Sequence, residues 1–230
     1  MAEIVMIMGE SGSGKSASLR NFQPGEICIL NVAGKRLPFR NSFGQSVVDV
    51  NQLPSTGARY QTILNIVRSG KYKAYAIDDS QYLLAFEAFD RALEAGYSKF
   101  TEMAQHFYDL TTECRKAKTR WERDKASGIW MDTKEPLEDT IIYFLHHTDK
   151  TDDGIIRPKT QGRMLDEKLN VAGLFTMVLM AETDGKEYTF RTHSDGSSVV
   201  KTPMDMFTED NIPNDLKLVD TTIREYYGMK

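Results

Sequence analysis

Ile4-Val5-Met6-Ile7-Met8-Gly9-Glu10-Ser11-Gly12-Ser13-Gly14-Lys15-Ser16 is the stretch whose reading decides the fold. Five apolar residues in a row predict a buried strand. The loop behind them fits the spacing G-x-x-x-x-G-K-[ST] at each fixed position, with Gly9, Gly14, Lys15 and Ser16. Gly12 and Gly14 allow a tight turn whose N–H groups point inward as a concave anion nest. A helix opening over 16–21 adds its unpaired N–H groups and its positive dipole end. In this motif the lysine reaches the β- and γ-phosphates and the hydroxyl ligates Mg²⁺. The predicted nucleotide-binding set is therefore Gly9, Glu10, Ser11, Gly12, Ser13, Gly14, Lys15, Ser16 and Ala17. Lys15 is also a catalytic candidate and Ser16 a metal ligand.

A chain of 230 residues suits one α/β domain with embellishments. A net charge of −4 gives no global argument for nucleic acid, so any such surface must be a local patch. Two cysteines, Cys28 and Cys114, cannot build a disulfide framework and fit a reducing, cytoplasmic setting. No apolar run approaches membrane-spanning length. Gly9 interrupts the first apolar stretch too early for a signal peptide, and no N-terminal accessory domain is expected.

Further along, Tyr72 to Ala76 lead into Ile77-Asp78-Asp79-Ser80-Gln81: an apolar strand ending in acidic residues, the Walker B pattern. Asp78 is the predicted second metal ligand, held at the carboxyl end of the strand where ligands bind in open α/β sheets. Asp79 is either the general base that polarises the attacking water or a helix N-cap. Ile27–Val32, Thr140–Leu145 and Phe175–Met180 read as further buried strands, and Val47–Val50 as a short one. His146 or His147, ending the 140–145 strand, is the candidate sensor beside the γ-phosphate.

Helices are predicted over 59–68, through 81–125 and over 216–227. Phe86, Phe89 and Leu93 form one apolar stripe, and Phe100, Met103, Ala104, Phe107 and Leu110 another. An insertion over about 112–139 has a basic helical tail, where Trp121 is available to stack on a base. Residues 126–139 read as its loop. Lys150 to Met164 reads as a mobile loop carrying Lys150, Arg157, Lys159 and Arg163, cations suited to nucleic-acid phosphates. Leu165 to Leu174 can be helical. A C-terminal region of about 186–230 holds a hairpin, with Tyr188–Thr192 and Ser198–Thr202 flanking Ser194-Asp195-Gly196-Ser197.

About 60 residues, including at least one more strand, separate the P-loop from the Walker B strand. The strand at 140–145 fits the P-loop group that slots a strand between those two, so the predicted sheet order is 5-1-4-3-2. The chain resembles the small phage-encoded RecA-core ATPases, stand-alone proteins linked to DNA recombination and single-strand annealing. The resemblance rests on the early P-loop, Ala76-Ile77-Asp78-Asp79-Ser80, and the strand Phe144-Leu145-His146. It also takes in Lys159-Thr160-Gln161-Gly162-Arg163-Met164-Leu165 and the hairpin with Lys201 before Pro203-Met204-Asp205-Met206-Phe207.

That resemblance implies a RecA-like fold, ATP and Mg²⁺, and homo-oligomers with ATP at subunit interfaces. It also implies a basic finger supplied in trans, for which Arg191 and Lys201 are candidates. RecA-like proteins commonly carry a catalytic Glu just after the second strand. Here that place reads Asn31-Val32-Ala33-Gly34-Lys35, with no carboxylate. The leading expectation is an ATPase acting on single-stranded DNA in phage recombination or replication. The alternatives are a nucleotide or small-molecule kinase, against which an Arg-rich lid is missing, and a non-hydrolysing ATP-gated assembly factor.

Overall fold

Strands buried on both faces are expected to be unbroken apolar runs, and the first stretch of this chain is one. A computed structural model gives the fold and describes residues 2–40, 43–51, 53, 56–160 and 170–230. In chain order its elements begin with β1 (Ala2–Gly9), β2 (Ile27–Asn31), β3 (Val47–Asp49), α1 (Thr56–Arg68) and β4 (Ala74–Asp78). Then come α2 (Gln81–Asp90), α3 (Ser98–Lys116), β5 (Thr119–Arg123), β6 (Trp130–Pro136), β7 (Thr140–Lys150) and β8 (Ile156–Pro158). β9 (Met177–Thr183), β10 (Tyr188–Arg191), β11 (Asn211–Pro213) and α4 (Leu216–Tyr227) complete the chain.

The main sheet runs β11-β10-β9-β1-β7-β4-β2-β3, with β8 beside β7. From β9 to β3 every neighbouring pair is parallel. The order β9-β1-β7-β4-β2 is the 5-1-4-3-2 arrangement read from the sequence, with β3 added at the edge. β7 lies between β1 and β4, in register from Ala2 opposite Thr140 to Gly9 opposite His147.

Alternation along β1 divides the core into two layers. Ile4, Met6 and Met8 pack with Phe144, Ile77 and the inner faces of α1, α2 and α3. Val5 and Ile7 pack with Leu145, Leu179, Leu19 and α4. Each such fully buried side chain contributes about 1.5–3 kcal/mol. α4 has the predicted bounds because its ends are written locally. Asp215 accepts from the Lys217 and Leu218 amides, and Gly228 ends the helix at φ +63°. Among the described residues no helix is long and apolar enough to cross a membrane.

Several sequence expectations are corrected. The 81–125 helix is two helices, and Phe89 and Leu93 are 78% and 102% exposed rather than core. α2 turns Leu83, Leu84 and Glu87 inward instead. The insertion over 112–139 is not helical beyond Lys116: β5 and β6 pair as an antiparallel hairpin. Its Trp121 ring packs under the Arg68 guanidinium at 4.8 Å, so it already has a stacking partner. The Lys150–Met164 segment is structured at its start, because β8 pairs antiparallel with the end of β7. The C-terminal hairpin uses different arms: β10 pairs with β9 and with β11. The 198–201 segment crosses to bridge Ile156 and Val178. Residues 161–169, with Arg163 and the first half of the 165–174 helix, lie outside the described residues.

Candidate nucleotide-binding site

β1 delivers the loop 9–16 at its carboxyl end, and a six-residue 3-10 turn, Ser16–Asn21, follows. Gly12 and Gly14 hold φ at +83° and +93°, backbone that L side chains rarely adopt. Gly9 is fixed by crowding instead: a Cβ there would stand 2.5 Å from Ser13 Oγ and 2.7 Å from the Ala181 carbonyl oxygen. Among the described residues the buried Ser13 hydroxyl has no hydrogen-bond partner. Lys15 Nζ curls back over the loop and donates to the Gly9 and Glu10 carbonyls, both at 2.8 Å. Burial lowers its pKa to about 8, against the opposing pull of Asp79 and Asp78.

β4 brings the carboxylates. Ser16 Oγ donates to Asp78 Oδ1 at 2.7 Å, joining residues 62 apart in sequence. Burial pushes the Asp78 carboxyl up to about 6; the Ser16 hydrogen bond opposes this and the neighbouring Asp79 adds to it. Asp79 takes φ +61°, a left-handed conformation uncommon outside glycine. Its Oδ2 accepts from Lys35 Nζ at 2.9 Å, and its Oδ1 lies 3.3 Å from His147 Nε2. Burial raises the Asp79 pKa, but the His147 and Lys35 contacts outweigh it and hold the carboxyl well below the usual range. Asp79 is not an N-cap, since α2 starts without a side-chain cap.

These groups line one cleft of about 450 Å³, in which Gly12, Lys15, Ser16, Asp78, Asp79 and His147 face Lys35 and Tyr188. The residues fit a nucleotide carrying a divalent cation. Glycines leave the cradle open, a buried hydroxyl lacks a partner, and a hydroxyl and a carboxylate meet beside a lysine. Ser16 and Asp78 offer two oxygens, and among the described residues no group of three His, Cys, Asp or Glu could hold a metal by itself. A cation held here would need further oxygens from phosphate and water.

The two histidines separate. His147 reaches the cleft; His146 is fully buried on the helix side against Phe107. His147 lines the cleft and His146 does not, although the register sets His146 opposite Met8, one residue before the loop. Adjacent strand residues face opposite sides of a sheet, so only one of the pair can point at the site. His146 Nε2 lies 2.6 Å from the Lys159 carbonyl, an acceptor, and Nδ1 lies 2.8 Å from Ser80 Oγ. The ring thus donates from Nε2 and accepts at Nδ1. Burial depresses its pKa to about 4, keeping it neutral.

Arg191 and Lys201 stand outside the cleft. Arg191 makes a two-pronged bond to Glu182 at 2.9 and 3.0 Å, and a third to Asp195 at 3.0 Å. Lys201 pairs its backbone with Val178 of β9. Lys150 and Arg157 lie on the β7–β8 ridge, and Lys159 follows it. Sequence reasoning missed Lys35 and Tyr188. Lys35 was visible only as a position lacking a carboxylate, and nothing in the spacing brings Tyr188 to residue 14.

No protein-family model matches the chain, and no curated protein matches it in sequence. Among solved structures it is similar to a KaiC-like protein from the hyperthermophilic archaeon Pyrococcus horikoshii. The identity is 11%, over 82% of this chain and 78% of the other, with a TM-score of 0.46. Likeness at that level transfers no chemistry from one protein to the other.

Proposed function

We propose that the chain binds ATP with Mg²⁺ in this cleft and hydrolyses it, as a phage ATPase acting on single-stranded DNA in recombination or replication. The observation that carries the nucleotide reading is the Ser16–Asp78 hydrogen bond at 2.7 Å beside Lys15. On this reading Lys15 exchanges the Gly9 and Glu10 carbonyls for phosphate oxygens, and the loop amides enclose the same phosphates. Ser16 and Asp78 would hold the metal, which when bound would neutralise phosphate charge. Asp79 stays ionised and takes a proton from the attacking water.

The DNA reading is supported by Lys150, Arg157 and Lys159, with Arg163 beyond the described residues. The Lys159 amide donates to the His147 carbonyl at 2.8 Å, so this ridge is bonded to the strand end that reaches Asp79. We also propose a homo-oligomer with ATP at subunit interfaces, with Arg191 or Lys201 reaching a neighbour's site. Arg191 must then leave Glu182 and Asp195.

Phosphate release measured with magnesium, with chelator and with added single-stranded DNA tests the proposal. Turnover that needs magnesium and rises with DNA is expected. Absence of both nucleotide affinity and turnover overturns it, and no DNA binding at low salt, with or without nucleotide, ends the DNA claim. Two observations favour a second reading, an ATP-gated factor that does not hydrolyse. No carboxylate follows β2, and Asp79 is tied to Lys35. Background phosphate release despite measurable ATP affinity would favour it.

A further inference from the structure

The loop after β2 is built to deliver a cation into the cleft. Gly34 holds φ at +67°, backbone that L side chains rarely adopt, and a Cβ there would press on the Asn51 amide, which would have to shift. Asn31 Nδ2 donates to the Lys35 carbonyl at 2.8 Å and to Asp49 Oδ1 at 2.7 Å. The backbone around Lys35 is therefore anchored, while its side chain is 62% exposed. The ammonium lies 2.9 Å from Asp79 Oδ2 and 4.9 Å above the Tyr82 ring. The same cleft holds Lys15 and Ser16.

We propose that Lys35 is the phosphate-sensing cation of this site, supplied by the chain itself. Without nucleotide it covers Asp79. When a nucleoside triphosphate enters, Lys35 leaves Asp79 for the terminal phosphate, and Asp79 keeps His147 as its partner. The inference rests on the nucleotide reading of the cleft. Lysine suits the task because it is a compact charge on a flexible stem. The lysine end of the pair is 62% exposed although Asp79 is buried, so the ammonium can swing without leaving solvent, and a phosphate group of higher charge competes with the carboxylate for it. A diphosphate offers no such group, and the Lys35–Asp79 pair then persists. Arg191 is a poorer candidate, since Glu182 and Asp195 already hold it.

Calorimetric titration with ADP and with a nonhydrolysable ATP analogue, both with magnesium, tests this on the wild type, Lys35→Ala and Asp79→Asn. The wild type is expected to prefer the analogue by about tenfold or more, the worth of one charge-assisted hydrogen bond. Lys35→Ala should lose that preference while holding its ADP affinity. Asp79→Asn, which frees the lysine beforehand, should increase it. A wild-type preference that survives in Lys35→Ala overturns the proposal, as does a wild type that binds both ligands equally. If the wild type binds neither ligand, the nucleotide reading fails and this inference falls with it. Should Lys35→Ala not fold, Asp79→Asn decides: a preference no larger than wild type overturns the idea.

Discussion

Tyr188 Cδ1 lies 2.8 Å from the point that a Cβ on Gly14 would occupy, so β10 closes over the glycine-rich loop of β1. The half-exposed ring can turn aside, but the backbone cannot adapt, because Gly14 holds φ at +93°. An L residue in such a region costs about 1–3 kcal/mol. Gly14→Ala should therefore lower the unfolding temperature and weaken nucleotide binding together. Thermal denaturation and calorimetry check this, and wild-type values in both would mean that residue 14 does not need the left-handed turn.

Lys15→Ala isolates the loop's charge from its shape. The variant loses the donor to the buried Gly9 carbonyl and to the Glu10 carbonyl, but it also removes an ammonium whose charged form is disfavoured by burial. Stability should change little, by less than about 1 kcal/mol. Affinity for magnesium ATP should fall at least about tenfold, with turnover lost. Wild-type turnover in this variant would remove the loop from the chemistry.

Two surfaces are candidates for the proposed contact with single-stranded DNA. If the β7–β8 ridge contacts phosphates, Lys150→Ala and Lys159→Ala should each reduce the salt dependence of single-strand binding by about one phosphate contact. Trp121→Ala should leave that slope unchanged, because its ring is already stacked on Arg68. It should cost stability instead, about 1–2 kcal/mol, by freeing the β5–β6 hairpin from α1. Anisotropy titrations over a salt series, paired with urea denaturation, distinguish the outcomes. A lost slope in Trp121→Ala would move the interface to the hairpin.

The sequence carried the sheet order because each parallel strand is buried on both faces and so appears as an unbroken apolar run. It carried the bounds of α4 because Asp215 and Gly228 act locally. The β5–β6 hairpin was not legible: alternating charged residues such as Arg120, Glu122 and Arg123 fit a solvated helix as well as an exposed ribbon. The site was half legible. Gly14, Lys15, Ser16 and Asp78 obey fixed spacings, whereas Lys35 reaches Asp79 only through a turn at Gly34 and an Asn31 side-chain bond. The choice between His146 and His147 depends on which face of β7 meets the helices, and residue types alone do not encode that.

His146 gives the last expectation, and its sign follows from burial. The ring is neutral in the folded chain with a pKa near 4, against an ordinary value of 6.5. The unfolded chain takes up a proton first as pH falls below 6.5, so His146 favours folding fully above 6.5. That contribution is lost progressively down to about 4. Asp78 runs the other way in much the same window, since its folded pKa near 6 lies above the ordinary carboxylate value. The wild-type curve alone mixes the two. Comparison with His146→Gln cancels Asp78 and leaves the histidine. The stability difference between wild type and variant should shrink by about 2–4 kcal/mol from pH 7 to pH 4.5. Urea denaturation at both pH values measures it. A difference independent of pH would mean that His146 titrates normally and is not enclosed between Ser80 and Lys159, and a variant losing turnover at unchanged stability would return it to the chemistry.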